Sequence, residues 1–186
     1  MARYRRPRAL SQRNDPSEPH IRHENANCSP TSGAAALDYH TGGIVRKRGG
    51  DLRHLLPNPE TGVNPGTTLS LEDVRIAWKR LGQVLTISQG WEAIKLRRRE
   101  GRCIIIQGDS GDLDRSCSES QDVAHAVLLH PDDGPAGDWL IMDPWCYVAG
   151  SNGLGKWRWI DRDDIYAYAK ALGFRFAFTR RQPKLP

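Results

Sequence analysis

Apolar residues are sparse and aperiodic over the first 27 positions, then gather into segments with recognisable spacing. Residues 28–40, CSPTSGAAALDYH, form the first of these. Pro30 suits a first helical turn, where its missing N–H costs nothing, and Gly42 and Gly43 stop the helix. The small residues from Ser32 to Ala36 let other backbones approach closely, which predicts a buried central helix. From Ser70 to Leu81 the pattern is amphipathic: Leu71, Val74, Trp78 and Leu81 share one face. Ser70 with Asp73 makes a capping-box start, and Gly82 closes the helix. Trp91 to Glu100 predicts a third helix, with Trp91, Ile94 and Leu96 inward and the Arg97–Arg99 run outward.

The character then changes. Cys103–Ile106 is β-branched and reads as a buried strand. Val123–Leu129 predicts a second strand, and Trp139–Met142 a third, stopped by Asp143-Pro144. Asp161 to Leu172 returns to helical spacing, with Ile165, Tyr168 and Leu172 on one face. Phe174, Phe176 and Phe178 alternate with Arg175 and Ala177, a closing strand. Helices first and strands after them favour an α+β arrangement over a doubly wound parallel sheet.

Composition narrows the class. A chain of 186 residues fits one domain with one sizeable core, and six Trp argue against full disorder. No apolar run approaches the ~18 residues of a membrane helix, so no membrane association is expected. The Met1–Arg6 start is basic without a following apolar stretch, so no secretory signal is expected. Four cysteines are too few for a disulfide scaffold, and a mostly reduced chain is expected. The net charge is +5, and residues 1–27 hold six Arg against three acids. That segment reads as an extended basic arm, either solvated or ordered against a partner, followed by one domain over 28–186. Arg-rich arms also bind phosphates, but no base-reading motif or stacking platform accompanies this one, so nucleic acid ranks last among partners. The polar stretch 108–122 carries Asp109, Asp112 and Asp114, whose spacing does not match a calcium loop; a surface loop is expected. Cys103, Cys117, Cys146, His125 and His130 are scattered without a C-x-x-C pair. Neither metal nor cofactor is therefore expected.

Three residues carry candidate chemistry. Cys28 begins a predicted helix, where free N–H groups and the helix dipole favour thiolate. His125 lies inside an apolar strand, where an imidazole needs a hydrogen-bond partner. Asp143 ends the next strand, placed to orient an imidazole. Each alone has a plain structural reading: an inert thiol, a satisfied histidine, an ordinary Asp-Pro turn. Together they follow the order that a thiol peptidase uses.

The segments Asn27-Cys28-Ser29-Pro30-Thr31-Ser32-Gly33-Ala34, Ala124–Leu129 and Trp139–Trp145 resemble the papain-like cysteine peptidases, in their bacteriocin-leader-processing branch. Within it the chain is most similar to small proteins encoded among the virion structural genes of tailed actinobacterial phages. The exit His40-Thr41-Gly42-Gly43, the strand from Gly101 to Gly108 and the end Ala177-Phe178-Thr179-Arg180 add to the likeness, which spans about residues 25–181. The resemblance implies a papain-like fold, with a nucleophile helix in an N-terminal helical part and an antiparallel sheet after it. It implies Cys28 as nucleophile, His125 as general base and Asp143 as its orienter, acting through an acyl-enzyme. It also implies a place in the virion, assembled in the host cytoplasm, with other virion proteins contacted through the arm and a peptide as substrate. Two departures stand out. The family's oxyanion Gln, six residues before the Cys, is Arg22 here, leaving Arg22, His23 and Asn25 as candidates. Ser29 replaces the Gly that commonly follows the nucleophile. A rival expectation is a structural virion protein that keeps the fold without turnover.

Overall fold

A computed structural model describes residues 4–12, 15–16, 27–56, 69–113, 124–147 and 155–183. In chain order its elements are α1 (Cys28–His40), α2 (Gly49–Arg53), α3 (Leu71–Arg80), β1 (Thr86–Gln89), α4 (Trp91–Arg99) and β2 (Ile104–Asp109). A 3-10 turn (Ser110–Asp112), β3 (Ala124–Asp133), β4 (Trp139–Tyr147), β5 (Gly155–Ile160), α5 (Arg162–Lys170) and β6 (Arg175–Phe178) follow. The six strands form one sheet in the order β1-β6-β2-β3-β4-β5, with every neighbouring pair antiparallel. The α+β reading holds.

Strand alternation divides the core in two. Ile105, Ala126, Leu128, Met142 and Ala177 face α1 and α3, while Ile104, Ile106, Val127, Leu129, Ile141 and Phe176 face α4 and α5. All thirteen residues of α1 are buried, as its small side chains predict. Gly33 shows why: a Cβ there would lie 2.5 Å from Val74 of α3, and its carbonyl accepts from the Trp78 indole at 3.2 Å. Ser70 caps α3 with the expected box to Asp73.

Four expectations change. Leu96 is half exposed and Arg98 is buried, the reverse of the predicted faces of α4. Arg98 lies four residues after the buried Ile94, hence on the same face. Its guanidinium holds the carbonyls of His130 and Asp132 and the Asp133 carboxylate. Asp143-Pro144 does not stop the third strand, because a register shift between Met142 and Tyr147 takes the proline into a bulge. Leu172 lies beyond the end of α5 and is exposed, leaving Ile165 and Tyr168 to pack.

The fourth change concerns the N-terminal segment. Over residues 4–12 it packs on the domain's own core, with Tyr4 and Leu10 buried in the α1 side. The Arg5 guanidinium pairs with Asp38 at 3.0 Å, and Asp38 also accepts from Arg8 N–H. The Trp157 indole donates to Pro7, Gly155 N–H to Ala9, and Leu10 N–H to the Met142 sulfur. Ser11 Oγ and Gln12 N–H both reach the Pro144 carbonyl, at 2.8 and 3.0 Å. Over these residues it is an internal strap on β4 and β5.

Candidate active site

α1 carries Cys28 on its first residue, after Asn27, whose side-chain oxygen is held by Arg53 at 2.6 Å. β3 supplies His125 near its start, and β4 supplies Asp143 next to its bulge. Ser32 Oγ donates to the Ala126 carbonyl at 3.1 Å, tying α1 to the strand that bears the histidine. From the opposite side of the sheet, the Tyr168 hydroxyl donates to the His125 carbonyl at 2.6 Å.

These placements bring the three predicted residues into one hydrogen-bonded series. His125 Nε2–H donates to Asp143 Oδ1 at 2.8 Å, and the ring also hydrogen-bonds the Cys28 thiol. All three are nearly buried. Asp143 is held from two further directions, by Trp145 N–H on Oδ1 at 3.0 Å and by Arg158 Nη2 on Oδ2 at 3.0 Å.

Burial, the protonated form and the hydrogen bonds compete at each group. At Cys28 burial pushes the thiol up, but the hydrogen bond and charge of His125 oppose it. The Ala126 N–H and Ser29 hydroxyl add to them, and the net shift is downward. At His125 burial pushes the imidazole down, while Asp143 and then Cys28 lift it to about 10. At Asp143 burial raises the carboxyl, yet His125, Arg158 and Trp145 hold it below its ordinary value. The shifts all run towards thiolate, imidazolium and carboxylate in line, the form in which a sulfur attacks a carbonyl carbon.

The remaining candidates fall elsewhere. Arg22, His23 and Asn25 lie outside the described residues, as do Asp114 and Cys117. Asp109 caps the 3-10 turn through Gly111 N–H at 2.9 Å. Cys103 is a free, buried thiol pushed up chiefly by burial. Cys146 is disulfide-bonded, a covalent tie the cysteine count does not predict, and it leaves Cys28 free. His130 is a buried structural histidine: Nε2–H donates to the Arg5 carbonyl, and Nδ1 accepts from Asp132 N–H. Among the described residues no group of three His, Cys, Asp or Glu side chains converges as a metal ion requires. Arg158, Gln107 and Tyr168 escape sequence reasoning as site residues. The first two meet the site across strands, with no local spacing to announce it, and Tyr168 is disguised as an ordinary helix-core position.

A candidate C39-like peptidase from Bacillus anthracis has a crystal structure similar to this one, with a TM-score of 0.55 at 16% identity. The match covers 86% of this chain and 91% of that one. The chain shares the fold of that C39-like structure. No family model and no curated protein matches the chain. Among the described residues no helix is long and apolar enough to cross a membrane.

Proposed function

We propose that the chain is a cysteine peptidase or amidase that cleaves peptide or isopeptide bonds through a Cys28 acyl-enzyme. The observation that carries this reading is the unbroken series Cys28–His125–Asp143, closed by Arg158. The thiolate adds to the carbonyl carbon, forming a C–S bond and an oxyanion. The imidazolium then gives its proton to the departing amine as the C–N bond breaks. Water, deprotonated by His125, adds to the thioester carbonyl; the C–S bond then breaks, releasing the acid and returning thiolate and imidazolium. Its place would be the particle of a tailed phage, made in the host cytoplasm, with cell-wall peptide or a phage protein as substrate. The order and spacing of the quoted motifs support that placement.

The test starts from the thiol. An ordinary cysteine loses roughly two orders of magnitude in iodoacetamide reactivity between pH 9 and pH 6. Cys28 should lose far less, and a full loss would remove the basis of the reading. Digestion of a peptide pool, read by mass spectrometry with Cys28→Ala as control, then reports turnover. The rival reading, a particle protein with this fold and no turnover, predicts no cleavage by either form and full infectivity of a Cys28→Ala phage.

A further inference from the structure

We propose that Gln107 supplies a side-chain N–H to the developing oxyanion at Cys28. The inference rests on the reading of Cys28 as a nucleophile that attacks carbonyl carbon. Gln107 lies on β2 directly opposite Ala126 of β3, the residue whose N–H reaches the Cys28 sulfur. Its side chain crosses from the sheet to α1, where Nε2 donates to Ser29 Oγ at 3.3 Å. Ser29 follows the nucleophile and hydrogen-bonds the thiol itself. Buried neighbours of Gln107 on that face of the sheet are apolar: Ile105, Ala126 and Leu128. A half-buried amide among them is turned to the start of α1 through Ser29.

The chemistry defines what the amide meets there. When the thiolate adds to a carbonyl, the C–S bond forms and the carbonyl π pair moves onto oxygen. Because the sulfur sits on the first residue of α1, that oxygen develops beside the helix start. The N–H groups of Cys28 and Ser29 have no acceptor within the helix, and Pro30 has none to give. The Gln107–Ser29 bond is longer than the usual 2.9–3.0 Å for N–H···O, so the amide exchanges Ser29 Oγ for an anionic oxygen at a gain. Collapse of the adduct breaks the bond to the leaving group and returns the pair to the carbonyl.

Two electrophiles separate this role from mere support of the thiol. Iodoacetamide reacts at a saturated carbon and develops no oxyanion; p-nitrophenyl acetate acylates through one and expels p-nitrophenolate. Both are measured on Cys28 of the full chain at neutral pH, with the Cys28→Ala background subtracted. Gln107→Ala and Gln107→Glu should slow acylation ~10²–10³-fold, the usual loss for one oxyanion donor, and change alkylation by less than about twofold. The proposal is overturned if both rates fall together, or if neither falls. It is equally overturned if Gln12→Ala, on the Pro144 side, gives the selective loss instead. If wild-type Cys28 shows the reactivity of an ordinary thiol with both reagents, the underlying reading fails first, and that outcome is recognisable without any variant.

Discussion

Replacing Asp143 by Asn removes one charge from the series while keeping an oxygen that can accept from His125. The carboxylate and the imidazolium, roughly 4 Å apart between charge centres, attract by about 4 kcal/mol at an effective dielectric of ~20. That is nearly three decades in the equilibrium between the ion pair and the neutral thiol–imidazole pair. The retained hydrogen bond offsets part of it, leaving a loss of ~10² in Cys28 thiolate near pH 6. Iodoacetamide trapping across pH 5–10, followed by mass spectrometry of the Cys28 peptide, reads this directly. The substitution also weakens the Arg158–Asp143 pair at 3.0 Å, in which the arginine side chain is only 14% exposed, so lost stability could masquerade as lost reactivity. A denaturation curve of the variant beside the alkylation profile separates the two. A folded Asp143→Asn protein that alkylates at pH 6 within threefold of wild type would refute the electrostatic argument.

Three more outcomes follow. Gly108→Ala places a Cβ 2.1 Å from the Tyr168 carbonyl oxygen, so chemical denaturation should show a loss of at least ~2 kcal/mol as α5 is pushed off β2. Leu10→Ala empties a buried strap position and should cost about 2–5 kcal/mol, with the thermal midpoint as readout. His130 is held at about 4, chiefly by burial, against 6.5 when unfolded, so it binds its proton preferentially after unfolding. Its contribution is complete above pH 6.5 and is lost as pH falls through 4, up to about 3 kcal/mol. His130→Gln should flatten that limb of a stability–pH curve and cost more stability at pH 8 than at pH 5.

Legibility in the sequence tracked how local the cause of each feature was. α1 was readable to its ends because Pro30, the run of small residues and Gly42–Gly43 are local signals. The faces of α4 were misassigned because Leu96 is apolar and Arg98 charged. The distant carbonyls and the Asp133 carboxylate of β3 make burial of that guanidinium favourable. Asp143-Pro144 carries the residue signature of a strand end, and nothing local reveals the bulge that absorbs it. Cys28, His125 and Asp143 could be proposed from positions on elements, since helix starts and strand ends are chemically distinctive. Gln107 and Arg158 could not, because each acquires its role from a neighbouring strand or helix far away in sequence. The strap was missed for a related reason. Tyr4 and Leu10 are too few to show a period, although each finds a buried place once the sheet exists.

That strap has a consequence in the order of synthesis. Leu10 N–H is bonded to a sulfur 132 residues downstream, and Trp157, on a late strand, holds the Pro7 carbonyl. As the chain emerges at ~5–20 residues per second, its first segment and its wholly buried nucleophile helix wait several seconds for their partners. Until β4 and β5 arrive, Cys28 has no paired imidazolium, and the apolar faces of α1 and α3 stay uncovered. A nascent or truncated chain therefore carries only an ordinary thiol at Cys28 and is prone to aggregate. The activated form of Cys28 appears only once the strands bearing His125 and Asp143 have joined α1, and so reports assembly of the sheet around it.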